Sequence, residues 1–101
     1  MKMVYCTCNV SVLDKLLELV EENNIREYQV IDRVTAKTKR GQPRFNDPVW
    51  PGYNAAVIMQ VAEDEKVKQL IENIKSFNHD AFNENELVTV CAWNLEHYFF
   101  D

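Results

Sequence analysis

Both glycines and all three prolines of this chain fall between residues 41 and 52: Gly41, Pro43, Pro48, Pro51 and Gly52. These residues are the strongest local breakers of regular backbone. Their concentration leaves one long connection in the middle and a segment on either side whose elements must be read from side-chain pattern. Each flanking segment reads as strand, helix and strand. In the first, Val4, Cys6 and Cys8 alternate with Met3, Tyr5 and Thr7 over residues 3–9, which predicts a strand. Ser11 stands where a helix N-cap is expected, and Leu13, Leu16, Leu17 and Val20 follow at helical spacing. Asn23 and Asn24 close that helix, since Asn tolerates the left-handed conformation of a C-terminal cap. A second strand is expected over residues 28–36.

In the second segment, residues 55–61 (Ala55 to Val61) are almost wholly apolar, as in a central strand covered on both faces. Asp64 is the expected cap of a second helix carrying Val67, Leu70, Ile71, Ile74 and Phe77 at i, i+3, i+4 and i+7 spacing. Leu87 to Trp93 reads as the fourth strand. The order is βαββαβ, which an α+β ferredoxin-like sandwich satisfies with two helices on one face of a four-stranded antiparallel sheet. With 101 residues, 47% of them hydrophobic, the chain is expected to form one domain over 1–101.

Charge narrows the function. The net charge of −5 argues against a nucleic-acid binder. Residues 33–44 nevertheless hold Arg33, Lys37, Lys39, Arg40 and Arg44 with no acidic residue, so the remainder carries six basic against sixteen acidic side chains. Such a basic segment on an acidic body suits a local anionic partner, or simply a solvated loop. The loop of about 37–54 far exceeds the 2–5 residues usual in hairpins, and loops of that length are commonly functional. It also contains Phe45, Trp50 and Tyr53. Lys37, Lys39, Arg40 and Arg44 would supply charge, Gly41 close backbone approach to a phosphate, and Trp50 an aromatic anchor.

Cys6 and Cys8 should point to one face of their strand, and Cys91 lies in the strand that neighbours it in a ferredoxin-like sheet. Three thiolates brought together would bind a soft metal; free cysteines also pack as small apolar groups. His79, expected in the loop after the second helix, and His97, in the tail, each adjoin an acidic residue and complete the metal candidates. No cofactor is assigned. No catalytic triad, zinc-protease, Walker or dinucleotide signature occurs, so a non-enzymatic role is expected. No run of about 18 apolar residues is present, and no apolar block follows Lys2. Together with an odd number of cysteines, this leads to the expectation of a cytoplasmic protein that is not membrane-embedded. The tail 94–101 ends in Tyr98, Phe99 and Phe100, which suggests an interface, and an oligomer is expected.

The layout resembles the PII (nitrogen regulatory protein P-II) superfamily of signal proteins. The opening residues Met1 to Val4, the helix after Leu13, and Ile25 to Val30 follow that family's first half. Val34 to Gln42 sits where its long T-loop begins. The resemblance implies a homotrimer of ferredoxin-like subunits that binds small ligands in subunit clefts. It also implies a loop offered to a protein partner, a membrane transporter among the candidates. The family's Gly-Asp-Gly phosphate loop is replaced here by Asn78 to Asn83, and its basic C-terminal segment by the aromatic tail, so its ATP and 2-oxoglutarate sites are not carried over. The chain is also similar to the CutA-type divalent-cation-tolerance proteins, which share the subunit fold and imply a metal-binding trimer instead.

Overall fold

The computed structural model describes residues 1–100. Four strands, β1 (Lys2–Asn9), β2 (Gln29–Val34), β3 (Asn54–Val61) and β4 (Thr89–Asn94), form one sheet in the order β2-β3-β1-β4. Every pairing is antiparallel. Helices α1 (Leu13–Glu22) and α2 (Asp64–His79) complete the βαββαβ order. No helix among the described residues is long and apolar enough to cross a membrane.

The alternation in β1 sets the layers. Val4, Cys6 and Cys8 are buried, as are Val57, Met59 and Val61 of β3 on the same side. Leu16, Leu19 and Val20 of α1 and Val67, Leu70 and Ile74 of α2 complete this core. Each side chain of this size contributes about 1.5–3 kcal/mol when fully buried. The opposite face carries no helix: Met3 and Tyr5 of β1, Ile58 of β3, and Cys91 and Trp93 of β4 lie on it, with Tyr5 directly between Ile58 and Cys91.

Several boundaries differ from those the sequence suggests. The first helix is entered through a 3₁₀ turn (Val10–Val12) whose cap is Asn9, not Ser11: Asn9 Oδ1 accepts from the Ser11 amide at 3.1 Å. Asp64 is the first residue of α2, after Glu63, and no side chain caps that end. Asn24 closes α1 in the left-handed region (φ 58°), the conformation its side chain favours. β2 is shorter than residues 28–36 because its register slips between Ile31 and Val34; Ala36 pairs instead with Arg44. His79 is the last residue of α2 rather than part of a loop. β4 starts at Thr89 because the backbone of the preceding Val88 is taken by a side chain, that of Asn78.

Candidate functional site

The long connection folds back on the body. Ala36 and Arg44 exchange backbone hydrogen bonds at 3.0 and 2.8 Å, which closes residues 37–43 into a sub-loop. A second turn follows. Asp47 Oδ1 accepts from the amides of Val49 (3.0 Å) and Trp50 (2.6 Å), and the Phe45 amide donates to Trp50 O. Asn46 (φ 54°) and Gly52 (φ 90°) turn the chain through the left-handed region.

The base of the loop is stitched to a second 3₁₀ turn, Glu84–Glu86, through Asn85. Asn85 Oδ1 accepts from the Gln42 amide at 2.9 Å, and its carbonyl accepts from Arg44 Nη2 at 2.8 Å. Arg44 also donates through Nη1 to Asn54 Oδ1 at 2.9 Å. Charge patterning alone reads Arg44 as a surface cation of the loop; the structure buries it to 8% exposure against β3 and the Glu84–Glu86 turn.

Two clefts open on either side of this seam. The larger, about 470 Å³, lies between the sub-loop and the approach to β4. Lys39, Arg40 and Gly41 line it from the loop, Lys75 and His79 from the last turns of α2, and Glu84 from the facing turn. Four side chains that carry or accept positive charge thus face one carboxylate. Lys75 is shared with an exposed partner, Glu72 Oε1, at 3.4 Å. A Cβ on Gly41 would meet Thr38 Oγ1 at 3.1 Å and Asn85 Oδ1 at 3.4 Å, so the absence of a side chain there keeps the loop against the turn. The smaller cleft, about 290 Å³, contains Arg44 and Trp50. Lys37 lines neither cleft.

Lys75 is the residue sequence reading missed. Its spacing of four from His79 on a helix puts the two on one face, a signal hidden by the distance of both from the basic segment.

The cysteines do not converge. Cys91 is paired across from Tyr5, and residues directly opposite in an antiparallel pair share a face, so Cys91 lies on the helix-free side while Cys6 and Cys8 point into the core. No group of three or more His, Cys, Asp or Glu side chains placed to hold a metal ion occurs among the described residues. Burial is the main cause that pushes the Cys6 thiol up to about 12 and the Cys8 thiol up to about 11, with the Arg44 charge opposing the rise at Cys8. Both stay protonated at neutral pH.

The tail runs on from β4, with the Leu95 amide donating to Met1 O at 3.1 Å. Tyr98 and Phe100 stack with ring centres 6.1 Å apart on the side of Ile25 and Lys66, and Phe99 and Phe100 both remain largely exposed. His97 lies in this tail and lines none of these clefts.

No protein-family model matches the chain, and no curated protein matches it. Solved structures do. A PII-like signalling protein of Thermus thermophilus superposes with a TM-score of 0.65 at 17% identity, over 93% of this chain and 85% of that one. CPII of Thiomonas intermedia K12, in a complex with ADP and bicarbonate, gives a TM-score of 0.67 at 16% identity, over 95% and 88%. The apo form of CPII gives 0.62 at 17% identity, over 91% and 87%. The fold expected from the element order is therefore the one observed, and it is the fold of the PII-like signalling proteins.

Proposed function

We propose that this chain is a non-enzymatic PII-like regulatory protein that binds an anionic small ligand in the cleft between residues 38–41 and 84–89. The observation that carries this reading is the convergence of Lys39, Arg40, Lys75 and His79 on one cleft beside Gly41. Several cations within a Debye length raise the local concentration of an anion, and backbone at glycine allows close approach to phosphate oxygens. CPII, whose fold this chain shares, is bound to ADP and bicarbonate. A nucleoside phosphate is accordingly the ligand class favoured here, held without the Gly-Asp-Gly turn by side-chain charge.

The helix-free sheet face supports assembly into a homotrimer. Met3, Tyr5, Ile58 and Trp93 give it apolar side chains between the polar Thr7, Gln60 and Thr89, and Trp93 is 49% exposed in the single chain. Exposed apolar surface of this kind marks interaction sites. The turn at 45–52, with Phe45, Val49 and Trp50 exposed at its surface, is the part offered to a protein partner such as a transporter.

Calorimetric titration with ADP tests the ligand reading. Lys39→Glu combined with Arg40→Glu reverses two of the cleft charges and is expected to weaken binding by about tenfold or more, the equivalent of ~1.4 kcal/mol. Lys37→Glu, outside the cleft, is the control and should change affinity little. Equal affinity in the double variant and the parent overturns the assignment.

A further inference from the structure

The end of the sheet that carries the long connection holds apolar side chains out in water. Phe82 is 96% exposed and Val49 72%, and Val10 and Trp50 are also exposed. They come from three segments that meet around the smaller cleft. Asn9, which precedes Val10, lines that cleft together with Val49, Trp50 and Asn85, and Phe82 stands three residues before Asn85. The backbone at each tip is tied down. The Val10 amide donates to Tyr53 O at 3.3 Å. Asp47 shapes the turn that projects Val49 and Trp50, and the Phe82 amide donates to Glu86 Oε2 at 3.2 Å.

Cations accompany these tips. Lys37, Lys39 and Arg40 are exposed, and no ion pair among the described residues includes any of them. Their sub-loop runs on into Gln42 and Pro43, which line the same smaller cleft. Of the carboxylates on the connections at this end, Asp47 and Glu86 hold the backbone amides just described, which leaves Asp80 and Glu84 against the three cations. The aromatic tail leaves the sheet at the opposite end, from Asn94 beside Lys2, and its formal charges are Glu96 and Asp101. Exposed apolar side chains therefore occur at both ends of the sheet, and a cluster of unpaired cations accompanies one of them.

A lipid bilayer accounts for both features better than a protein groove does. The tips stand on separate segments, and Asn9, Gln42, Arg44 and Asn85 line the cleft between them, so no continuous apolar face is offered to a complementary protein surface. A fluid interface takes separate protrusions one by one. Trp is favoured at the level of the lipid headgroups, and Lys and Arg beside inserted apolar side chains are attracted by anionic lipid. Carboxylates farther back on the acidic body are screened beyond about 8–10 Å.

We propose that this end of the molecule is a peripheral docking surface for an anionic lipid bilayer. Val10, Val49, Trp50 and Phe82 enter the boundary between headgroups and acyl chains, and Lys37, Lys39 and Arg40 meet the lipid phosphates. The proposal goes beyond the ligand and protein-partner readings and requires neither.

The test is co-sedimentation of the full chain with vesicles of equal parts phosphatidylcholine and phosphatidylglycerol, with pure phosphatidylcholine vesicles as the reference. Expected is reversible binding in low salt, half complete at about 0.1–1 mM lipid, and weaker by about tenfold or more on phosphatidylcholine alone or in ~0.5 M salt. The Val49→Ser, Phe82→Ser variant alters only exposed side chains and should bind anionic vesicles about tenfold more weakly, as should Lys37→Glu with Lys39→Glu. The tail variant Phe99→Ser, Phe100→Ser should bind as the parent does. Circular dichroism of each variant checks that it is folded. Parent protein that stays in the supernatant with anionic vesicles overturns the proposal and assigns the tips to a protein partner. Equal binding to the two kinds of vesicle, binding undiminished in both loop-end variants, or binding lost only in the tail variant overturns it as well.

Discussion

Asn78 offers the sharpest test of what holds the end of α2 to the approach to β4 along the larger cleft. It sits one residue before the end of α2, and its carboxamide pairs with the backbone of Val88 on the approach to β4. Asn78 Nδ2 donates to Val88 O at 2.9 Å, and the Val88 amide donates to Asn78 Oδ1 at 2.8 Å. The side chain thus gives Val88 what a neighbouring strand would have given. Asn78→Ala removes both bonds and strands two polar groups of a residue only 4% exposed. Two neutral hydrogen bonds at about 0.5–1.5 kcal/mol each, plus partial desolvation of the orphaned groups, give an expected loss of about 2–3 kcal/mol. That corresponds to a fall in Tm on the order of 10 °C for a domain of this size.

Urea denaturation at fixed protomer concentration is the assay, because assembly would make the midpoint depend on concentration. The slope should be unchanged and the midpoint lower. A difference under about 0.5 kcal/mol, the usual scatter of surface substitutions, would refute the argument. Asn78→Asp isolates the two halves of the pair. Its carboxylate still accepts from Val88 N–H but has no proton for Val88 O, so the protonated form is the better fit and the folded pKa is raised above the ordinary ~3.9. The stability contributed by the protonated form is present below the unfolded pKa and is lost as pH rises through the folded one. The deficit of this variant against the parent should therefore shrink on acidification toward pH 4, and a pH-independent deficit would show that the donor half does not matter.

Four further outcomes are expected. An alkylating reagent at neutral pH should leave Cys6 and Cys8 unlabelled until the protein unfolds, while Cys91, exposed in the single chain but on the face proposed for assembly, should react readily in the Tyr5→Glu variant, as peptide mass mapping would show. The folded pKa values of Cys6 and Cys8, about 12 and about 11, lie above the ordinary 9.0, so their stabilising effect is complete below pH 9 and is lost as pH climbs toward 11 and 12; the urea midpoint should fall over that range, and less steeply in Cys6→Ala. Gly52→Ala, at φ 90° with open space around it, should cost about 1–2 kcal/mol from backbone strain alone, and a neutral result in thermal denaturation would contradict the turn geometry. Tyr5→Glu places a charge at the centre of the helix-free face and should convert a trimer to monomers by native mass spectrometry; an unchanged assembly would put the interface elsewhere.

Much of the architecture was legible because local pattern and tertiary role agree. The period-two alternation of Val4, Cys6 and Cys8, the apolar run from Ala55, and the helical spacing from Val67 to Phe77 each report a face that is buried in the fold. The ends of elements were less legible, because caps compete at short range: Asn9 reaches the Ser11 amide before Ser11 itself can serve as the cap. Cys91 illustrates a different limit. Its strand was correctly placed beside β1, but only the register decides which face a side chain takes, and a one-residue shift would have brought it to Cys6.

The basic segment shows why composition stops short of a site. Residues 33–44 carry five cations that look equivalent in sequence, yet they separate into different physical roles. Arg33 lies over the Tyr53 ring at 5.6 Å, Lys39 and Arg40 line the open cleft, and Arg44 goes inside. The separation is made by Ala36 and Arg44, whose backbone pairing fixes where the sub-loop closes, and by Asn85, 41 residues beyond Arg44 in sequence, which supplies the acceptor that makes burial of the guanidinium tolerable. Neither partner carries a charge, so no charge pattern could have pointed to them. The same uncharged partners hold the loop base against the Glu84–Glu86 turn, which follows directly on the glycine-free stretch Asn78 to Asn83. Lys39 and Arg40 of the facing loop and Lys75 of α2 line the cleft beside that turn, and the stitch at Asn85 holds the loop in place against it.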